Sequence, residues 1–326
     1  MNTFNAVVRM VLLCLLIAIA GSAAAQQAYP SKPIRFIVPF PPGGSTDPLA
    51  RMAAQKMTEA WGQQVIVDNR PGGNTIIGTE AVAKAAPDGY TILLAGIPLV
   101  TGISLYPNIP YDATKDFAPV ATIARSEFVL VVHPSLPANN LQEFIALAKS
   151  KPGELDYGSS GTGGSLHLAG ELFNVIAGVK LQHIPYKGSG PLISDLIGGQ
   201  VGLSFQTPIA TIAHIRSGRL KAIAVTGAAR SSALPQIATF TEAGLPGFDV
   251  NIWYGIVAPA GTPRTIVDKM STEVARSLAM PDVRKYLSNQ GMEPFISTPE
   301  QVAALIKADI AKYAKIIKAA NIKIDR

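Results

Sequence analysis

The chain has 326 residues, 48% of them hydrophobic and 15% charged, a formal net charge of +6 and a single cysteine. That length and aliphatic content support two cores rather than one, and the lone Cys14 excludes an intrachain disulfide and a cysteine-built metal site. The modest positive charge, without a basic block or a basic stripe interleaved with aromatics, argues against a nucleic-acid partner.

In chain order, Arg9, the apolar run Met10–Ala20 and the small residues Gly21–Ala25 have the three-part layout of a cleavable secretory signal peptide, expected over residues 1–25. Its removal takes away Arg9 and no acidic residue, which leaves a mature charge of +5. No later stretch reaches the roughly 18 unbroken apolar residues of a membrane span, so the mature protein is expected to be soluble and exported to the periplasm.

Ile34–Val38 reads as a short buried strand ended by Pro39, which has no amide hydrogen to give a ladder. Gly43 and Gly44 follow, then Ser45, Thr46 and Asp47, any of which can cap a helix marked on one face by Leu49, Met52, Ala53 and Met57. A strand, a glycine turn and a helix N-terminus together offer free amides and the positive end of a dipole, an anion site that needs no cationic side chain. Taken alone, the stretch is equally an ordinary strand-to-helix turn, since the Gly-Lys-Ser/Thr ending of a P-loop is missing. If Asp47 caps the helix with Pro48 in its first turn, an anion is left with the amides of Gly44, Ser45 and Thr46.

Gln64–Val67 is the next predicted strand, Asp68–Asn74 a turn, Thr75–Ala85 a helix and Tyr90–Leu94 a third strand. Such alternation implies parallel strands with ligands bound beyond their carboxyl ends. Ile97–Asp116 is expected to be a long connection, followed by extended segments at Ala118–Ile123 and Phe128–Val132, between which the chain is expected to cross into a second domain. This divides the mature chain into domain 1, residues 26–122 plus 248–326, and domain 2, residues 123–247. His133, beside Pro134, reads as a loop residue.

After a helix at Leu141–Ala148 a second alternating block opens. The strand Leu155–Tyr157 leads into the glycine turn Gly158–Ser165 and a helix with Leu168, Leu172 and Ile176 at helical spacing. The strands Leu181–Tyr186, Val201–Phe205 and Leu220–Val225 follow, with exits at Lys187–Pro191 and Gln206–Pro208. Two halves, each with a glycine-rich strand-to-helix turn, are placed to face one another across a cleft. The return to domain 1 passes Trp253 and Tyr254, read as hinge or core packing, and Thr298 with Gln301 has capping-box spacing ahead of a last helix, Pro299–Ala319.

Catalytic signatures are missing. None of His133, His167, His183 and His214 stands at metal-ligand spacing from another histidine or a carboxylate, Gly158–Thr162 puts threonine where a nucleophile elbow needs its last glycine, and Gly161–Leu166 ends a would-be dinucleotide fingerprint with leucine. No enzyme activity, metal or cofactor is expected. His167, in the first turn after the second glycine loop, either donates to a ligand across the cleft or bonds its own loop.

The motifs Tyr29–Ile34, Val38–Asp47, Asn69–Gly73, Ala86–Thr91, Tyr157–Ser159 with Gly161, His167–Leu168, Pro185–Gly188, Glu242–Gly247 and Ala258–Pro263 span essentially the whole mature chain. Together they resemble the Bug, or tricarboxylate-receptor, family of periplasmic solute-binding proteins of tripartite tricarboxylate transporters. The resemblance implies an α/β fold of the type II periplasmic-binding-protein class, with two domains of mostly parallel sheets closing on a small carboxylate that is delivered to an integral-membrane permease. It implies a monomer, and gripping loops that hold the carboxylate largely by backbone amides, hydroxyls and ordered water. The ligand-binding residues it selects are Phe40, Gly44, Ser45 and Thr46 on one side, and Ser159, Gly161, Thr162, Gly163 and His167 on the other; Asn74, Lys187, which can offer charge to an anion, and Gln206 are expected to complete the site. The chain departs from the family in having Gly202 and Gln206 where aspartates are frequent. A neutral amide at 206 offers no counter-charge to an ammonium, which points to an acid without a required amine.

Overall fold

The computed structural model describes residues 29–248, 250–319 and 322. The expected signal peptide and Cys14 lie outside them.

Two sheets form the framework. In the first, β1 (Ile34–Val38) pairs in parallel with β2 (Val65–Asn69) and β3 (Thr91–Ala95), and β3 pairs antiparallel with the long β10 (Asn251–Pro259). β4 (Phe117–Glu127) runs antiparallel to β10 and carries the short β11 (Glu293–Pro294) at the edge, giving the order β11-β4-β10-β3-β1-β2. The second sheet has the order β7-β6-β8-β5-β9: β6 (Asp156–Ser159) lies parallel to β7 (Gln182–Pro185) and β8 (Leu203–Gln206), while β5 (Val129–Val132) runs antiparallel to β8 and β9 (Lys221–Val225).

Helices join and cover the parallel strands, as the right-handed crossover requires. They are α1 (Thr46–Trp61), α2 (Ile76–Ala83), α3 (Ile97–Leu105), α4 (Leu141–Ser150), α5 (Ser165–Ala177), α6 (Ser189–Ile197) and α7 (Pro208–Arg216), with α8 (Arg264–Ala279), α9 (Pro281–Asn289) and α10 (Pro299–Ala319) packed on the first sheet's side. The periodicity of α1 is realised: Leu49, Ala53 and Met57 are buried. The capping box of α10 forms as expected, Gln301 N–H donating to Thr298 Oγ1 at 3.3 Å and Thr298 N–H to Gln301 Oε1 at 2.9 Å.

One expectation is corrected. Residues 97–105 are a buried helix, α3, and not part of a long connection. Pro98 does not break it, because proline in the first turn lacks only an amide hydrogen that would have no partner there.

The chain leaves the first sheet after Glu127 and rejoins it at Asn251. The two crossing segments are tied together at Thr226, a residue almost wholly buried. Phe128 N–H donates to Thr226 Oγ1, Thr226 N–H donates to Phe128 O, and Thr226 Oγ1–H donates to Val250 O, each at 2.8 Å.

Candidate functional site

The opening loop and the loops of the second sheet meet face to face. A Cβ added to Gly44 would stand 3.2 Å from the Ser189 Cβ, and one on Gly190 would stand 3.0 Å from the Pro42 carbonyl oxygen. Gly188, at φ +107, leaves room for the Pro41 ring, which a methyl group there would meet at 2.3 Å.

Beneath this contact lies a cavity of about 40 Å³. A water needs roughly 10–15 Å³ of such space, so the cavity accommodates about three non-hydrogen atoms, the size of a carboxylate group. Five helices begin at it. Ser45 and Thr46 open α1, Gly96 and Ile97 open α3, Ser165 and Leu166 open α5, Ser189 opens α6, and Thr207 precedes α7. None of the five has a side chain hydrogen-bonded as its cap, so first-turn amides and five positive dipole ends remain available to whatever enters.

Among the described residues, no charged side chain lines this cavity. Tyr254 on β10 projects its hydroxyl to 2.7 Å from Ser45 Oγ, and burial raises its pKa to about 12, so it remains a neutral hydroxyl. Gln206, at the end of β8 and fully buried, donates through Nε2 to Ser204 Oγ at 3.0 Å. An anion here would be held by dipoles and hydroxyls, with no cation to neutralise it and no carboxylate to repel it.

Asp47 does not cap α1. The cap position belongs to Ser45, and the Asp47 carboxylate receives Arg51 Nε and Nη2 at 2.9 and 3.1 Å. Its burial would raise its pKa, but the hydrogen bonds from Arg51 and Asn69 and the charge of Arg51 outweigh this and hold it below the usual carboxylate value. The charge that would have competed with a ligand is thus paired along the helix flank.

A second chamber, of about 630 Å³, opens on the other side of Phe40 and Pro41. It shares Phe40, Pro41 and Ser160 with the inner cavity and is further lined by Pro39, Gly72–Thr75, Tyr106, Gly161, Thr162, Tyr186 and Lys187. Among the described residues, Lys187 is the one charged side chain that lines it.

Of the residues selected from sequence, Phe40, Gly44, Ser45, Thr46 and Gln206 line the inner cavity, and Phe40, Asn74, Gly161, Thr162 and Lys187 line the outer chamber. Ser159 and Gly163, within the second glycine loop, and His167, in the helix after it, line neither. Ser159 Oγ donates to Gly161 O at 3.1 Å and stands 2.6 Å from His183 Nε2. His167 accepts the Gly163 N–H at Nδ1 (2.9 Å) and stacks on His183 with ring centroids 3.8 Å apart. Burial lowers the pKa of His167 to about 4; burial and then the neighbouring His167 lower that of His183 to about 3. His167 therefore takes the second of its two expected roles, a neutral prop that shapes its own loop.

Sequence reasoning missed Ser160, Ser165, Ser189, Thr207, Tyr254 and Gly96–Ile97. A signal existed for three of them: Gly96, Ser160 and Thr207 each directly follow a strand, where a parallel sheet places its ligand. Trp253 and Tyr254 are both buried in the core, as the hinge or core-packing reading expects; Trp253 donates Nε1–H to the buried Asp309 carboxylate at 2.7 Å, while the Tyr254 hydroxyl also faces the inner cavity.

Residues 49–322 match the family model described as the tripartite tricarboxylate transporter family receptor. The chain is similar to the protein BugT of Bordetella pertussis, 40% identical over 312 residues, which are 94% of this chain and 96% of that protein. Among solved structures it resembles an R. palustris protein with adipate (36% identity, TM-score 0.88, covering 90% of this chain and 99% of that one). It also resembles MatC from Rhodopseudomonas palustris with bound malate (30% identity, TM-score 0.83, covering 89% and 100%).

Proposed function

The chain belongs to the tripartite tricarboxylate transporter receptor family, and from that premise we propose that it is a periplasmic monomer that captures a small carboxylate between its two lobes and delivers it to an integral-membrane permease. The observation that carries this reading is the uncharged, carboxylate-sized cavity at which five helices begin without side-chain caps. Uncapped first turns are the backbone's own anion-binding groups, and a preformed set of them needs no lysine or arginine. The two dicarboxylates named with relatives, adipate and malate, agree with an acid as the ligand.

The ligand contacts proposed on the inner side are Gly44, Ser45, Thr46 and Gln206, with Ser160, Ser165, Thr207 and Tyr254 added by the geometry. Because Gln206 stands among neutral groups, the acid needs no amine. A thermal-shift panel tests this: plain mono-, di- and aromatic carboxylates should raise the melting temperature, and stabilisation by amino acids alone would overturn it. Receptor and enzyme also differ in outcome, since a receptor returns its ligand chemically unchanged after prolonged incubation.

A further inference from the structure

Along α10 the buried residues are Val302, Ile306, Asp309, Tyr313 and Ile317, a hydrophobic stripe interrupted by one carboxylate. Asp309 is 9% exposed. Taking a carboxylate out of water gives up hydration that an apolar side chain never had, so a leucine at this place would pack at lower cost.

The partner of Asp309 is Trp253 on β10, whose indole Nε1–H it accepts at 2.7 Å. Trp253 is enclosed on two further sides. Its ring lies over Gly255, where an added Cβ would stand 3.2 Å from Cζ3, and its carbonyl oxygen would stand 3.0 Å from a Cβ on Gly96, the residue that opens α3 at the inner cavity. The strand is irregular here: Tyr254 pairs with Ala124 and Gly255 with Thr122, so β4 carries an extra residue, Ile123, opposite this step. Such bulges re-aim the side chains beside them. Tyr254, next to Trp253 and on the other face of the strand, points into the cavity. Its hydroxyl is 2.7 Å from Ser45 Oγ and is hydrogen-bonded to the Thr207 side chain as well. Ser45 precedes α1 in one lobe and Thr207 precedes α7 in the other, so this one hydroxyl spans the lobes where the ligand is held.

We propose that Asp309, which lines no part of the cavity, is a positioning residue for capture: by holding the Trp253 indole it fixes β10 at its bulge and so aims the Tyr254 hydroxyl between Ser45 and Thr207. This rests on the receptor reading above. Hydrogen bonds weaken steeply with misalignment, so a small shift of β10 is enough to lose the bridge while the sheet stays paired.

A double-mutant cycle tests the proposal. Whichever of acetate, malate, adipate, citrate and benzoate binds the wild type most tightly is titrated calorimetrically into Tyr254→Phe, Asp309→Leu, the two combined, and Asp309→Asn. Tyr254→Phe and Asp309→Leu should each weaken binding about three- to tenfold, the worth of one hydrogen bond. The combined variant should bind no more weakly than Tyr254→Phe alone, because Asp309 acts through that hydroxyl. Asp309→Asn, whose side-chain carbonyl still accepts the indole N–H, should bind as the wild type does. If Asp309→Leu does not fold, Asp309→Leu joined with Trp253→Phe, which removes both partners of the bond together, takes its place in the cycle with the same outcomes expected. Unchanged affinity in the leucine variant with a lowered melting temperature, or losses that add in the combined variant, would overturn the positioning role while leaving the receptor reading standing. Failure of all five acids to bind the wild type would overturn the receptor reading itself.

Discussion

His167 and His183 show how a residue can serve a site without touching its occupant. The rings stack beneath the second glycine loop, and His167 Nδ1 must stay unprotonated to accept the Gly163 N–H. With folded-state values of about 4 and 3 against an unfolded value near 6.5, the unfolded chain binds more protons throughout the interval between. Their contribution to stability is therefore complete above about pH 6.5 and is lost as pH falls toward the folded values. Thermal unfolding followed from neutral pH to about pH 4.5 should show a falling melting temperature, with a shallower fall in His167→Gln. A wild-type melting temperature flat over this range would contradict the assignment. The sequence placed His167 in the first turn of its helix, and so left both of its roles open. The Gly163 N–H bond to its Nδ1 decides between them, and His183, stacked on it from β7, comes from outside the local motif.

At the scale of elements, the opening strand, glycine turn and helix were legible because proline, glycine and apolar spacing act locally, within a few residues. The same punctuation misled at Ile97–Leu105, where Pro98 and the later Tyr106-Pro107-Asn108 suggested a loop although the proline sits in a first helical turn. The inner cavity was legible only in part, since five separate helix starts supply it and their convergence depends on the order of strands in two sheets. The crossing between the lobes was equally hidden: nothing local marks Thr226 as the residue that ties Phe128 to Val250. Replacing it by valine keeps the volume but leaves a buried N–H and a buried C=O unpaired, at a cost of about 1–3 kcal/mol each. Chemical denaturation of Thr226→Val should register a loss of about 2–6 kcal/mol, the two costs together, and an unchanged midpoint would show that the tie contributes nothing.

For the molecule as a whole, the lobes meet through small residues, Gly43 and Gly44 against Ser189 and Gly190, beside the inner cavity that Gly44 and Ser189 line. Bulk introduced at Gly44 collides with the opposite lobe and not with its own, so each lobe can fold while the contact between them is lost. The measurement that bears most directly on carboxylate capture between the lobes is calorimetry of the acid giving the largest thermal shift, titrated into the wild type and into Gly44→Leu. The wild type should bind one equivalent, and Gly44→Leu, with an unliganded melting temperature close to the wild type's, should bind at least about tenfold more weakly, a loss of about 1.4 kcal/mol or more. Undiminished one-to-one binding by folded Gly44→Leu would place the ligand somewhere other than between the opening loop and the second lobe.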